Sequence, residues 1–501
     1  MKYTEYLKKS LLGKITLIMW LIILVLEAIS IIMAKTFLPP KFFLIGIVVA
    51  VVLAMITWLM HFKTPKLSVI VSLLLIVCLG FGTVSVSKLN NVTNQITKDA
   101  QKEVETVSIA CLKDSKITAE DAFDEYKLAY MAKDDTAYQR SSELLNDYDK
   151  AVKKSKPCKS AMSAYVSLTE GRSELIYLTP MMLAKLDEHE VDVDNEFKIL
   201  LSKEYPLEDI QTKTVDVKNE TYTIYIQGVD ASSGNDTDKM NEGKIFATGR
   251  GDCNILLTIN PVTNQACMQV IPRDLKVYIP NKDVESKLSY SAWWGGVQAS
   301  IDSLEQYFDI DINYYAKLNF AGLTTVIDEL GGVNVWSDYD FAVDISNVNY
   351  DEGGQIKEFN QGYNYVNGEE GLAFARARKM LPDNAQSRSI NHLNLVKGIF
   401  RKFAQEPTYN HALDILDSIS TNFVTNVPKK NFKDVFNTTA ELIPDIVNDR
   451  IESNSMEGEI EFATDPVRGM YKRYFIPADG EREAVKERID QVINSSKKAD
   501  K

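Results

Sequence analysis

Three long apolar runs near the N-terminus constrain this chain more than any other feature of its sequence. They cover Ile15–Ala34, Phe42–Met60 and Leu67–Val86, and each is near the length of about 20 residues that an α-helix needs to cross a bilayer. No small-residue cleavage site ends the first run, so we interpret it as a retained anchor and not as a cleaved signal peptide. Residues 1–88 are therefore predicted to form a membrane anchor of three helices.

The basic residues between these runs predict the orientation of the anchor. Four lysines precede the first run, and two lysines and a histidine lie between the second and third, whereas the first turn holds only two lysines. Since positive loops stay in the cytoplasm, the chain after the third run is expected outside the cell. The net charge of −13 belongs mostly to this external part. An acidic external domain is a poor candidate for binding nucleic acid.

Cysteine and histidine usage excludes two further classes of site. Four of the five cysteines lie in the external part, where one or two disulfides are possible and the spacing cannot assign them. No CxxC motif or histidine cluster indicates zinc or redox chemistry. With four histidines in the whole chain, a histidine-based catalytic triad has little to draw on.

The segment 89–214 reads as a small, mainly helical accessory domain. Ala122, Tyr126, Ala129 and Tyr130 share one face at helical spacing. The acidic run Asp187–Asp194 is expected to be a solvated face or loop, and the segment contains no catalytic constellation.

From residue 215 the sequence pattern predicts alternating strands and helices, which is typical of a layered α/β domain. This domain is expected to extend to residue 496 and to be followed by a polar tail, 497–501. The predicted strands include Tyr222–Ile226, Ile255–Ile259 and Met268–Ile271, and the predicted helices include Gly296–Phe308 and Leu323–Leu330.

Three arginines downstream form a candidate anion site. Arg376 and Arg378 are two residues apart, a spacing that on an extended backbone sends both guanidinium groups to one side. Ser387 or Ser389 can cap the next helix, so Arg388 is expected in its first turn, where free amides favour an anion. The residues predict a phosphate or pyrophosphate site, but a solvated basic patch explains these three arginines equally well.

Charged residues also gather at the ends of the predicted strands, where α/β sheets place ligands. Carboxylates that can hold a hard cation, next to arginines that can hold phosphates, are the combination that phosphoryl transfer needs. Internal salt bridges explain each Arg–Asp pair alone better, but the whole set less well. These residues are Asp230, Arg250, Asp252, Arg273 and Asp274.

In their order and spacing these motifs resemble the LytR-CpsA-Psr family, over roughly residues 215–496. Three membrane spans and an accessory domain are similar to its capsule-associated branch. The matching residues are Gly228 and Asp230, Arg250 and Asp252, Asn260 and Pro261, Ile271–Asp274, Asp328 with Gly331 and Gly332, Asn367–Glu369 with Leu372, Arg376 and Arg378, and Arg388.

The resemblance implies an α/β/α layered catalytic domain with a mixed central sheet and an extracytoplasmic, metal-dependent phosphotransferase. Members move a capsular or wall glycopolymer from a polyprenyl-pyrophosphate carrier onto peptidoglycan. By carry-over, Arg250 and Asp252 would be catalytic, and Asp230 and Asp252 would hold Mg²⁺ or Mn²⁺. The residues that would bind the pyrophosphate are Arg250, Arg273, Arg376, Arg378, Arg388 and His392.

The chain departs from the family pattern at two positions. Ala385 stands where an aspartate is usual, and His392 stands where a glutamine is usual. Asp383 is a candidate to replace the missing carboxylate in the metal site. The departures leave two alternatives open, a non-catalytic polyprenyl-phosphate-binding regulator of capsule synthesis and a pyrophosphate hydrolase. The expected partners are the membrane, the lipid-linked glycan and peptidoglycan, with other capsule-assembly proteins as further candidates.

Overall fold

The computed structural model describes most of the chain. The described residues are 10–35, 40–98, 103–132, 137–189, 191–207, 209–230, 249–345, 355–378, 380–382, 385–405, 409–448, 451–465 and 469–495. The predicted polar tail, 497–501, lies outside them.

Three long helices open the described chain: α1 (Leu11–Ala34), α2 (Pro40–Lys63) and α3 (Pro65–Lys98). By length and composition each can cross a membrane, because a helix satisfies its backbone hydrogen bonds internally. The three apolar runs are thus confirmed as helices, and the third continues to Lys98, beyond its predicted end. Together with Val427–Val435 the residues up to Lys98 form one compact unit.

The segment after the membrane helices contains a five-stranded sheet, so the prediction that it is mainly helical is wrong. The strand order is β3-β2-β4-β1-β5, and buried apolar residues cover both faces of this sheet. Its elements are β1 (Val104–Leu112), β2 (Lys127–Met131), α4 (Ala137–Asp147), β3 (Lys154–Cys158), α5 (Ala161–Thr169), β4 (Leu175–Leu178), α6 (Pro180–Glu188), α7 (Val193–Glu196) and β5 (Phe197–Pro206).

Strand β2 shows why the helical interpretation failed. Ala129 and Tyr130, two residues of the proposed helical face, lie in this five-residue strand. A short strand that is covered on both sides shows a run of apolar residues without alternation, and periodicity alone cannot distinguish such a run from part of a buried helix.

A six-stranded mixed sheet forms the centre of the second compact unit, in the order β16-β11-β6-β7-β8-β17. Strand β11 pairs parallel with β6, β17 pairs parallel with β8, and the other neighbours are antiparallel. The predicted mixed central sheet is confirmed. Its strands are β6 (Tyr222–Asp230), β7 (Arg250–Asn260), β8 (Gln265–Val270), β11 (Tyr314–Asn319), β16 (Phe423–Thr425) and β17 (Glu452–Ser455).

This sheet is buried on both faces, as a layered α/β/α domain requires. Tyr225 and Leu256 lie opposite each other on one face, and Ile224 and Leu257 on the other; all four are buried. The remaining elements are β9 (Lys276–Ile279), β10 (Val284–Lys287), α8 (Leu288–Phe308), α9 (Phe320–Glu329), β12 (Val333–Ser337), β13 (Phe341–Asp344), β14 (Ile356–Phe359), β15 (Gly362–Val366), α10 (Gly368–Arg376), α11 (Ala385–Phe403), α12 (Tyr409–Ser418), α13 (Phe432–Val447), β18 (Gly458–Asp465), β19 (Gly469–Pro477) and α14 (Glu481–Ile493).

A buried ion pair joins the five-stranded and six-stranded parts of the chain. Both parts belong to one compact unit, 99–426 with 436–501, which has no division at the predicted boundary of 214/215. Glu103, just before β1, pairs with Lys317 on β11, and both side chains are almost fully buried. Helix α8 is interrupted at Gly295 and Gly296, and Val297 begins the second half of the helix. The amide of Val297 donates a hydrogen bond to the Glu103 carboxylate. An anion is favoured at a helix N-terminus.

The Glu103–Lys317 pair yields a stability prediction. Glu103→Gln should lower the free energy of unfolding of the full chain by about 3 kcal/mol, because it leaves a buried lysine without its counter-ion. Combining it with Lys317→Met should restore much of the loss. Chemical denaturation in detergent, followed by tryptophan fluorescence, measures both.

Lys486→Ala is the matched control, since Lys486 pairs with Asp309 at the surface and should change little. A double variant no more stable than Glu103→Gln alone would contradict the prediction.

Candidate active site

A β-bulge places Asp252 at the end of the β6–β7 pair. Gly228 pairs with Cys253 and Val229 pairs with Gly251, so Asp252 between them is left out of the register. Bulges of this kind re-aim a side chain and are common beside active sites. A Cβ on Gly228 would lie 2.9 Å from the Cβ of Cys253, so this close approach requires glycine.

The turn after β8 brings a second pair of charges to Asp252. Arg273 donates a hydrogen bond to the Asp252 carboxylate, and its Nε lies 3.7 Å from Oδ1 of Asp274. Lys287 and Arg378 approach the two oxygens of Asp274 at 3.6 Å and 3.9 Å. The Arg273 and Asp274 side chains are 10% and 5% exposed. The salt bridges that the sequence allowed here therefore exist, but within a larger cluster.

Arg376 and Arg378 do not share the extended backbone on which their spacing would send both guanidinium groups to one side. Helix α10 starts at a capping box formed by Asn367 and Glu370, and Arg376 is its last residue. A cation is favoured at a helix C-terminus, and the guanidinium also lies 4.6 Å from the ring centre of Phe320. The chain leaves the helix at Ala377, and this turn brings Arg378 to Asp274.

Helix α11 begins at Ala385, before the predicted caps Ser387 and Ser389, and Arg388 lies in its first turn as expected. One turn later, Nε2 of His392 lies 2.9 Å from the carbonyl oxygen of Ala375. The neighbouring Asn391 donates to the carbonyl of Phe374 at 3.1 Å. These two contacts fix the start of α11 against the end of α10.

Electrostatics identifies Asp252 as the centre of the site. Burial acts to raise the pKa of this carboxyl, but the charges of Arg273, Arg388, Arg250 and Arg376 outweigh burial and lower it. The pKa of Asp274 is lowered in the same way, against burial, by Lys287 and three arginines. Both carboxylates are therefore ionised at neutral pH, and the five predicted arginines surround them.

Burial and the neighbouring arginines lower the pKa values of Arg388 and His392. Burial and then Arg273 lower the pKa of Arg388 to about 10, so it stays cationic. Burial and then Arg388 lower the pKa of His392 to about 4, so its imidazole is neutral at pH 7. Because Nε2 faces a carbonyl oxygen, the proton is assigned to Nε2, and Nδ1 is an acceptor.

Two predicted metal ligands are beyond what the structure describes. Asp230 ends β6 with its backbone paired to Arg250, but its side chain is not among the described groups, and Asp383 lies outside the described residues. Within the described ranges no group of three or more histidine, cysteine or acidic side chains is placed to hold a metal. All five cysteines are free thiols.

Sequence reasoning missed two residues of the site, Lys287 beside Asp274 and Asp187 beside Arg250. Asp187 is the more distant from any predicted motif. It belongs to the acidic run expected to be solvated, yet its Oδ1 lies 3.3 Å from Nη1 of Arg250. No local motif signals this contact, because the two residues are 63 positions apart.

The order of these arginines and carboxylates along the chain is that of a known family. The sequence model of the LytR_cpsA_psr family matches residues 192–491, more than half of the chain. The chain belongs to the LytR-CpsA-Psr family.

Relatives within this family are named as transferases. The polyisoprenyl-teichoic acid–peptidoglycan teichoic acid transferase TagU of Bacillus subtilis (strain 168) is 31% identical over 218 residues, which cover 44% of this chain and 64% of TagU. The Bacillus licheniformis protein of the same name is 31% identical over 222 residues, covering 44% and 65%. This LytR-CpsA-Psr chain thus spans less than two thirds of the length of these relatives.

Solved structures that the chain matches include TagV of B. subtilis and the protein gbs0355 of Streptococcus agalactiae. TagV is 22% identical, with a TM-score of 0.43 and coverage of 56% of this chain and 99% of TagV. The S. agalactiae protein is 23% identical, with a TM-score of 0.46 and coverage of 58% and 93%.

The neutral His392 yields a pH prediction. Its ordinary pKa of 6.5 applies in the unfolded chain, which therefore binds the proton first as the pH falls. The stability contributed by the neutral ring is complete above pH 6.5 and is lost between pH 6.5 and about 4. The difference corresponds to about 3 kcal/mol.

His392→Gln can keep the hydrogen bond to Ala375 and cannot titrate. Urea denaturation between pH 7.5 and 4 should show a shallower fall in the free energy of unfolding for this variant than for the wild type. Parallel curves for the two proteins would show that His392 is not held neutral by its surroundings.

Proposed function

We propose that this chain is a glycopolymer–peptidoglycan phosphotransferase that uses a polyprenyl-pyrophosphate-linked glycan as donor. The observation that supports it best is the set of arginines around the ionised Asp252. Guanidinium groups bind phosphate oxygens in pairs of hydrogen bonds, and a pyrophosphate carries enough charge to balance several of them. Phosphoryl transfer depends mainly on positioning and on neutralising charge.

The proposed reaction joins the glycan to peptidoglycan through a phosphodiester. A sugar hydroxyl of peptidoglycan attacks the phosphorus on the glycan side, and its proton passes to solvent. The bond between that phosphorus and the bridging oxygen breaks, and polyprenyl phosphate leaves. Arg250, Arg273 and Arg388 would bind the non-bridging oxygens on which charge accumulates, and Arg376 and Arg378 would hold the rest of the pyrophosphate.

A divalent cation, Mg²⁺ or Mn²⁺, is part of the proposal. Asp252 is an ionised carboxylate at the centre of the arginine cluster, which is the kind of oxygen donor that Mg²⁺ accepts alongside waters and phosphate oxygens. Asp230, at the adjoining strand end, is the second proposed ligand, and Asp383 a third. The cation would supply charge neutralisation at the pyrophosphate.

The proposed location is the outer face of the cell membrane. Lys14 lies in the first turn of α1, and Lys63 and Lys66 lie at the junction of α2 and α3. The start of α1 and the end of α2 are at the same end of the helix pair, because Thr16 contacts His61. Basic residues at this end favour a cytoplasmic N-terminus. A lipid-linked donor and the cell wall meet at the outer leaflet. The polymer is proposed to be capsular or wall glycopolymer, in keeping with the teichoic acid named for the relatives.

Replacing Arg378 tests the transferase. Its side chain is 38% exposed, so Arg378→Ala should not disturb folding, and we expect it to lower transfer about 10²-fold by removing a phosphate contact. The full chain is incubated in detergent with polyprenyl-pyrophosphate glycan, peptidoglycan fragments and Mg²⁺. Mass spectrometry measures the glycan–phosphate–peptidoglycan product.

Arg401→Ala is the matched control, since Arg401 lies near the other end of α11 over the ring of Tyr363. Glycan phosphate released without peptidoglycan would identify the hydrolase, and carrier bound but unchanged would identify the regulatory binder. Equal product from Arg378→Ala and wild type would contradict the assigned site.

Metal removal tests the cation. Chelation with EDTA should lower transfer at least tenfold, and added Mg²⁺ or Mn²⁺ should restore it in the wild type but not in Asp252→Asn. Binding of Mn²⁺ to each protein is followed separately by electron paramagnetic resonance. Full activity after chelation would exclude a metal requirement.

A further inference from the structure

Asp187 connects the five-stranded part of the chain to the arginine cluster. It lies on α6, whose start is fixed by Thr179 as N-cap and Pro180 in the first turn. Its Oδ1 lies 3.3 Å from Nη1 of Arg250, and its Oδ2 accepts a hydrogen bond of 2.7 Å from the hydroxyl of Tyr290. Each carboxylate oxygen therefore has a partner, and the carboxylate has a defined orientation.

Aromatic residues complete the support of Arg250. Its guanidinium carbon lies 5.5 Å from the ring centre of Trp293, a distance at which a cation is attracted to the ring. Tyr290 and Trp293 belong to α8 and lie next to each other. Trp293 packs against the core of the five-stranded sheet and against that of the six-stranded sheet. Arg250 is thus held where the two parts of the compact unit meet.

Asp187 lies outside the segment that matches the family, whereas its partner Arg250 lies inside it. The family match begins at residue 192, five positions after Asp187. The side chains of Arg250 and Asp187 are 19% and 27% exposed, so the pair is partly shielded from solvent, and such pairs interact more strongly than exposed ones.

We propose that Asp187 is a positioning residue, which holds the Arg250 guanidinium in the plane and direction needed to bind the transferred phosphate. The proposal rests on the proposed function, and it assigns the segment before the family domain a part in the site. A guanidinium on a flexible stem must otherwise be ordered when the substrate binds. A carboxylate and a ring that order it beforehand remove that entropic cost from the reaction.

The first test is Asp187→Asn, which keeps the shape of the side chain and removes its charge. Loss of orientation should lower kcat about 10- to 100-fold. Removing a negative charge near an anion site favours binding while loss of orientation disfavours it, so KM should change little. Tyr290→Phe, which frees Oδ2, should lower kcat in the same direction by less. A purely structural role would lower the melting temperature without lowering kcat at a constant KM.

The second test is a double-mutant cycle in the full chain with inorganic pyrophosphate and Mg²⁺ as the probe. Arg250→Ala should raise the dissociation constant for pyrophosphate by some factor in the wild-type background. That factor should be at least five times larger than the factor measured in the Asp187→Asn background. A residue that acts through Arg250 must show such coupling, whereas independent residues add. Isothermal titration measures the four dissociation constants.

Asp192→Asn is the matched control, because Asp192 belongs to the same acidic run and bonds Asn195 at 2.9 Å. It should leave kcat and pyrophosphate binding unchanged. Additive effects of Asp187→Asn and Arg250→Ala would overturn the proposal, as would faster turnover of Asp187→Asn, which would make Asp187 a competitor of the substrate. If the wild type binds pyrophosphate but forms no product, the transferase fails while the binding cycle still decides the role of Asp187.

Discussion

The organisation of this site depends on the largely buried carboxylate of Asp252 and its contact with Arg273. Five arginines that converge in a partly buried space repel one another, and burial alone favours their neutral forms. The lowered pKa of Asp252 records how strongly four of them interact with it, and Asp274 acts in the same way on the other side of the cluster. These anions offset the repulsion between the arginines and so favour their close approach in the folded chain.

Each member of the cluster is held by a rigid element. A bulge in β7 aims Asp252, the turn after β8 carries Arg273, and α10 ends at Arg376. The contact between His392 and the carbonyl of Ala375 then sets where α11, and with it Arg388, begins. Because the elements come from distant parts of the chain, the site exists only when the central sheet and the helices on it are assembled. A site of this kind is preorganised, and this is what charge stabilisation in phosphoryl transfer requires.

The sequence predicted the central sheet and the arginine set, because strands rich in β-branched and aromatic residues and a fixed order of motifs are local signals. It failed where the signal is not local. Strand β2 has no alternation because both its faces are covered. The end of α10 at Ala377 lies beside the contact of Ala375 with His392, 17 positions away, and the contact of Asp187 with Arg250 spans 63 positions. Such contacts are set by tertiary packing, which periodicity does not encode.

The position of His392 bears on the departures from the family pattern. In a buried site next to Arg388, a protonated imidazole would add a further cation, but burial and the charge of Arg388 keep the ring neutral by lowering its pKa to about 4. A neutral imidazole with its proton on Nε2 donates to the Ala375 carbonyl, as a glutamine amide can. The neutral His392 therefore adds no charge to the site, and it makes the contact that fixes α11. As the pH falls from 6.5 towards 4, the free energy of unfolding should therefore fall while the charge of the arginine cluster stays the same.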